Sequence, residues 1–221
     1  MLDGADPGDE VDFGWFFFAW RDREGWGLID TGFADDEAAE RFRLTEFTPA
    51  PQALSWLGLR AAQVTRVILT HAHFDHAGCL GEYPRAEVFI ARAELEAMQA
   101  ALAQRDWHLG YRRRELEVLR ARALRQVEAR ARVGELELEV VGGHTPGMLA
   151  ISCPEGLILA GDNAYLFANI EQRRGIGPVS RAGPDALPGL LSRGAMLVPG
   201  HDPKLVDRFP GPHPRDRKSV V

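Results

Sequence analysis

Cysteine is scarce in this chain, long apolar runs are missing and positive charge is in deficit, and each shortage removes a class of protein. Only Cys79 and Cys153 occur among 221 residues, and neither belongs to a CxxC or similar ligand pair. A secreted scaffold stapled by disulfides is thereby disfavoured, and a reducing cytoplasm is the expected setting. No apolar stretch reaches the length of about 18 residues that a membrane span needs. The start, MLDGADPGDE, is acidic and lacks the basic and apolar blocks of a signal peptide. The net charge of −6 gives a global field that repels nucleic acid. One basic segment, Tyr111 to Arg114 with Arg120, Arg122 and Arg125 following, runs against that balance. Its interleaved glutamates and helical spacing read as a solvated helix face. No repeat, low-complexity linker or composition break divides the chain. A single domain over 1–221 is expected, with 1–10 and 211–221 disordered.

What is present is an alternation of short strands and helices. Asp12 to Trp20 reads as an aromatic strand whose edge could pair with a second copy in a homodimer, and Gly27 to Asp30 as its partner. Thr48 and Pro49 open a helix through Leu57, with the threonine at the cap. The apolar run Arg66 to Thr70 has the character of a buried strand and leads straight into His71. Further on, Glu87 to Ile90 is a strand, Ala93 to Gln104 a helix and Tyr111 to Leu124 a second helix. Strands then follow at 127–133, 136–141, 149–152 and 157–160, a helix at 184–191 and a last strand at 196–198. Two strand-rich segments separated by helices suggest a layered α/β sandwich.

Three of the seven histidines fall in His71-Ala72-His73-Phe74-Asp75-His76. Residues two apart in an extended segment point to one side, so His71 and His73 can converge on one metal ion. Asp75 and His76 lie beyond the turn and can be aimed at a second. Imidazole nitrogen with a carboxylate is a suitable shell for zinc and other divalent first-row metals. A cluster of surface histidines on a loop is the simpler alternative, and the company of the cluster argues against it. His144, Asp162 and His201 each follow an apolar strand candidate and sit beside glycine, which lets backbone crowd a site. Strand ends converging on one sheet edge would gather all of them. His108 and His213 lack such context and are expected at the surface.

These residues carry a family resemblance. Asp30-Thr31-Gly32, Thr70 to Gly78, Gly143-His144-Thr145-Pro146-Gly147, Gly161-Asp162 and Gly200-His201 resemble, in this order, the motifs of the metallo-β-lactamase superfamily from Asp12 to about Pro210. The resemblance implies a four-layer αββα sandwich, here with a helical insertion near 93–124. It also implies one metal on His71, His73 and His144, another on Asp75, His76 and His201, and Asp162 bridging. Two such ions, zinc by preference with iron or manganese as alternatives, would share a water and make it hydroxide near neutral pH. That hydroxide would attack an ester, lactone or thioester carbonyl. Asp75 is a proton carrier as well as a ligand, and Thr31 and Gly32 support the ligands from beneath.

The substrate is less constrained. Asp162 argues against true β-lactamases, which do not use a bridging carboxylate, and His73 argues against flavo-diiron relatives, which carry glutamate there. Glyoxalase II-like thioesterases share every ligand but add a C-terminal helical segment for glutathione, which the short stretch after His201 does not supply. Tyr165, three positions after Asp162, is placed as in N-acyl homoserine lactonases, where the resemblance implies a phenol hydrogen-bonded to the substrate carbonyl. The expected activity is lactone or carboxylic ester hydrolysis, with a thioesterase as the alternative. The partner is a small-molecule substrate, with no nucleic acid and no membrane. Met98, Trp107 and Tyr111 are candidate walls of a lid, and Cys79 reads as a small buried thiol.

Overall fold

The computed structural model describes residues 11–33, 40–42, 44, 47–104, 110–177 and 180–209. The expected disorder at 1–10 and 211–221, the surface positions of His108 and His213, and Trp107 lie outside the described residues. The described elements are mixed α and β and form two five-stranded sheets. The chain divides into two compact units. One comprises residues 15–90, 98–125 and the described residues from 204 onward. The other comprises the described residues before 15, with 91–97 and 126–203.

The first sheet runs in the order β1 (Phe18–Asp22), β2 (Gly25–Ile29), β3 (Val64–Ile68), β4 (Glu87–Ala91), β5 (Leu124–Val127). A two-residue turn joins β1 to β2, with Asp22 opposite Gly25, and β2, β3 and β4 are mutually parallel. Parallel strands end on the same edge, so the residues that follow β2 and β3 become neighbours. The Asp30 N–H accordingly donates to the Ile68 carbonyl at 2.8 Å. Helices α1 (Ala50–Trp56), α2 (Phe74–Ala77), α3 (Arg92–Ala103) and α4 (Arg113–Arg120) follow in chain order, α3 passing from one unit into the other.

The second sheet has the order β10 (Met196–Pro199), β9 (Leu157–Gly161), β8 (Leu149–Ser152), β7 (Leu136–Val140), β6 (Arg130–Val133). In β7, buried Leu136 and Leu138 alternate with exposed Glu137, the pattern of a strand wet on one face. In β9 the residues from Ile158 to Gly161 are buried without a break, as a central strand requires. Helices α5 (Phe167–Glu171) and α6 (Leu187–Leu191) belong to this unit, and α7 (Leu205–Arg208) to the other. Ala150, Ile158, Ala160, Leu187, Leu190 and Leu197 pack into one apolar cluster between β8, β9, β10 and α6.

Several boundaries differ from the sequence reading. The first strand begins at Phe18 rather than Asp12, because Phe16 and Phe17 are buried and Trp15 packs its ring on Phe33 and Phe74 instead of joining a ladder. Pro49, not Thr48, occupies the cap of α1, with no side-chain cap bond. The helix expected to reach Leu124 stops at Arg120, and Leu124 to Val127 forms β5. Arg122 has left the helix face altogether. Its guanidinium donates to the carbonyls of Tyr83 at 2.7 Å and Leu80 at 2.9 Å.

A buried cation ties β3 to the β1–β2 turn. Arg66, 5% exposed, donates from Nη1 to Asp22 Oδ2 and Glu24 Oε2, each at 2.9 Å. The guanidinium holds the Asp22 carboxyl down at about 2. A carboxyl lowered in the folded state stabilises the fold above its unfolded value, and the stabilisation is lost as pH falls through the folded one. Asp22→Asn is expected to lower the melting temperature at pH 7 by on the order of 5 °C. Thermal melts at pH 7 and pH 2.5 check this: the gap between wild type and variant should narrow at the lower pH.

Candidate metal centre

In the first-sheet unit the parallel strands β2 and β3 place Asp30 and Thr70 side by side at their carboxyl ends. Asp30 is buried and adopts a left-handed backbone, φ 61°, a conformation that aspartate tolerates better than most residues. Its carboxylate accepts from Thr70 N at 2.8 Å, Thr70 Oγ1 at 2.7 Å and His76 Nδ1 at 2.8 Å. A carboxylate can only accept from the ring, so His76 carries its proton on Nδ1 and turns the Nε2 lone pair the other way. That Nε2 lies 3.2 Å from Asp75 Oδ2.

The same logic extends along the run. With its proton given to Asp30, the Thr70 hydroxyl can accept from His71 Nδ1 at 3.2 Å, which directs His71 Nε2 toward His73 Nδ1 at 3.1 Å. Two ring nitrogens facing at that distance can turn their lone pairs to a common cation. Thr31 holds the peptide of His76 from beneath, its N–H and hydroxyl both donating to the His76 carbonyl at 2.7 and 2.9 Å. A β-carbon on Gly110 would stand 2.8 Å from His73 Cγ, and the Gly110 carbonyl accepts from Phe74 N at 3.0 Å, while Tyr111 meets the His73 ring edge-on at 4.7 Å. Met98 is fully buried.

In the second-sheet unit, β7, β9 and β10 share one direction, because β8 is antiparallel to both β7 and β9 while β10 is parallel to β9. Their carboxyl ends therefore lie on one edge, and these ends deliver His144, Asp162 and His201. Asp162 is buried, and its two oxygens face different imidazoles: Oδ2 lies 3.4 Å from His144 Nε2, and Oδ1 lies 3.2 Å from His201 Nε2. Both outer nitrogens are bound by backbone carbonyls. His144 Nδ1 donates to Ser180 O at 2.7 Å, and His201 Nδ1 donates to Gly14 O at 2.8 Å. Each Nε2 is thus the lone-pair end, aimed at the carboxylate.

Glycine makes this approach feasible. A β-carbon on Gly143, whose φ is 99°, would stand 2.1 Å from Asn163 Oδ1, and one on Gly200 would stand 2.8 Å from Asp162 Oδ1. Asn163 fills the space so provided: its Oδ1 accepts from His144 N and its Nδ2 donates to Gly142 O, both at 2.9 Å. Tyr165 is buried, with its hydroxyl 3.2 Å from His144 Nδ1 and its ring edge-on to His144 and His201. Since that Nδ1 already donates to Ser180, the phenol oxygen can act there only as an acceptor.

The donor sets fit divalent metal ions. His71, His73, Asp75 and His76 in one unit, and His144, Asp162 and His201 in the other, are the metal-ligating candidates among the described residues. They offer imidazole nitrogens and carboxylate oxygens with inward lone pairs, the mixture that zinc, iron and manganese accept. Cys79 is not among them; burial pushes its thiol up to about 11, which keeps it protonated and a poor ligand. Two features escape a sequence reading. Asp30 was legible as part of a motif but not as the partner of His76, and Phe13–Gly14 gave no local signal of its contact with His201.

Asp30 tests the ring-orientation account. Asp30→Asn keeps the shape and the left-handed backbone but presents an amide N–H₂ to His76, favouring the wrong tautomer. Divalent-ion affinity is expected to fall by 10- to 100-fold on the order seen for outer partners of ligands. Competition with a chromophoric chelator measures it.

A model of the Metallo-beta-lactamase superfamily matches residues 10–201. A probable metallo-hydrolase of Mycobacterium bovis is 30% identical over 101 residues, covering 41% of this chain and 32% of the relative. An N-acyl homoserine lactonase of Rhizobium johnstonii, AttM, is 27% identical over 183 residues, covering 69% of this chain and 64% of its own length. The matches thus span about a third and just under two thirds of these relatives. A solved N-acyl homoserine lactone hydrolase, with N-hexanoyl-L-homoserine bound at its catalytic metal centre, superposes with a TM-score of 0.73 at 20% identity over 94% of this chain and 90% of that one.

Proposed function

The chain belongs to the metallo-beta-lactamase superfamily, and from that premise we propose that it is a metal-dependent hydrolase that opens lactones or cleaves related carboxylic esters. The observation that carries the reading is Asp162, a buried carboxylate whose two oxygens face His144 and His201 separately, as a bridge between two ions requires. In this reading His71, His73 and His144 would hold one ion, and Asp75, His76 and His201 the other. Zinc is the proposed metal, with iron or manganese compatible with the same donors. When bound, such ions would lower the pKa of a bound water to about 7 and polarise a carbonyl.

The residues of the chain supply the remainder. Asp75 Oδ2 faces His76 Nε2 at 3.2 Å, and in this reading the Oδ1 of the same carboxylate takes the proton from the attacking water. As the acyl carbon–oxygen bond of the lactone breaks, Oδ1 returns that proton to the leaving alkoxide, giving a hydroxy acid. Tyr165 donates a hydrogen bond from its phenol O–H to the substrate carbonyl oxygen as negative charge grows there. Its place beside both His144 and His201, with its oxygen only an acceptor at His144, supports that role. Resemblance to the AttM lactonase favours lactones over thioesters. Both cysteines are free thiols, consistent with the proposed reducing cytoplasm, and no described helix is long and apolar enough to cross a membrane.

Elemental analysis of the purified protein is expected to return two divalent ions per chain. A panel of lactones, thioesters and phosphodiesters should show turnover first on lactones; preference for thioesters would replace this reading with a hydroxyacyl thioesterase, and an inert, metal-free protein would end it. Tyr165→Phe is expected to lower kcat on a lactone by about 100-fold with both ions retained. Unchanged kcat would remove the phenol from the chemistry.

A further inference from the structure

His201 differs from the other described ligand candidates in what holds it. The outer nitrogen of His76 rests on Asp30, and that of His144 on Ser180 O. His201 is instead gripped by the segment that precedes β1. Gly14 O accepts from His201 Nδ1 at 2.8 Å, and Gly14 N donates to His201 O at 2.8 Å, so one glycine fixes both the ring and the peptide. Phe13 then stacks on the imidazole, ring centroids 4.7 Å apart and planes 22° from parallel. Phe13 also packs on the buried cluster of Tyr165, Leu166 and Ile176, with its ring 5.3 Å from that of Tyr165, which itself meets the His201 ring edge-on.

We propose that Phe13–Gly14 is a clasp that sets the orientation of His201 and so tunes the affinity of the ion His201 holds, without touching that ion; this rests on the ligand assignment proposed above. Two constraints define the ring of a histidine, its tautomer and its rotation about the Cβ–Cγ bond. The Gly14 carbonyl fixes the first by requiring a proton on Nδ1. The face-to-face contact with Phe13 fixes the second, because rotating the imidazole would break the stack and swing Nε2 away from Asp162 Oδ1, 3.2 Å distant. Losing Phe13 lets the ring turn away from the Gly14 carbonyl, so that rotation and tautomer are loosened together. The cost therefore falls on one ion and not on both.

Phe13→Ala tests this, with Phe13→Tyr as the conservative control and His201→Ala as the benchmark. Zinc titrations in a metal-buffered solution should show two equivalents for wild type and Phe13→Tyr. In Phe13→Ala one equivalent should keep its affinity and the other weaken by roughly 10- to 100-fold, resembling His201→Ala. Melting of the chelator-treated protein should be nearly the same for Phe13→Ala and wild type. Long-range nitrogen–proton NMR of that metal-free protein should show the His201 proton on Nδ1 in wild type and a mixture of tautomers in Phe13→Ala. Two tight equivalents in Phe13→Ala with an unchanged His201 signal overturn the clasp. So does loss of both equivalents together with a large drop in melting temperature, which would make Phe13 a core residue only. A wild type that binds no zinc overturns the ligand assignment, and the clasp with it; wild-type stoichiometry in His201→Ala overturns the part of that assignment on which the clasp depends.

Discussion

An imidazole can offer a lone pair to a cation at one nitrogen only while its proton sits on the other, and most of the candidate metal centre follows from how that proton is held. Asp30 holds it for His76, Ser180 O for His144, Gly14 O for His201, and the Thr70 hydroxyl for His71. Three kinds of acceptor do the same work: a carboxylate, a backbone carbonyl and a hydroxyl whose own proton is committed to Asp30. Such partners cost the fold little, because each is a hydrogen bond that a buried group would need in any case. What they add is direction. A ring with a fixed tautomer and a fixed rotation presents its lone pair before any ion arrives, which spares the reorganisation that a mobile ligand would require.

The acceptors can be where they are because of strand direction. In the first sheet the parallel pair β2 and β3 ends together, so Asp30 reaches both Thr70 and His76. In the second, β7, β9 and β10 end together and carry His144, Asp162 and His201 to one edge. Rigid strands hold the approach to each ligand, while glycines at 143 and 200 allow the backbone to come closer than a β-carbon would permit. Just beyond the end of β2 the backbone turns left-handed at Asp30, and from there Asp30 makes its three bonds.

Some elements were plain from composition and period, and others were not, for reasons that can be named. β8 was read at its observed bounds, and β4, β7 and β9 to within a residue, because their apolar residues have no helical spacing and glycine or charge bounds them. The aromatic run from Asp12 looked like one strand because alternation cannot distinguish a ring that joins a sheet face from one that packs elsewhere. Trp15 went to Phe33 and Phe74, and Phe13 to His201. The charged segment after Tyr111 has helical spacing throughout, yet α4 ends at Arg120 and Arg122 turns to the carbonyls of Leu80 and Tyr83. Local pattern carries no information about which distant carbonyls need a donor.

Sequence alone supplied the candidate ligand types, since histidine and aspartate at 71, 73, 75, 76, 144, 162 and 201 have few substitutes as donors to a divalent ion, and spacing along a strand end already sets His71 beside His73. It also determined the family, through five short motifs in order. The tertiary structure decided which nitrogen of each ring faces inward and what holds it there. Asp30 and His76 are separated by 46 positions, and Gly14 and His201 by 187. Hydrogen bonds between residues so far apart are set by where strands end and which segments cross them. A backbone carbonyl such as Gly14 O has the same chemistry at every position in the chain, so no residue identity could have announced it.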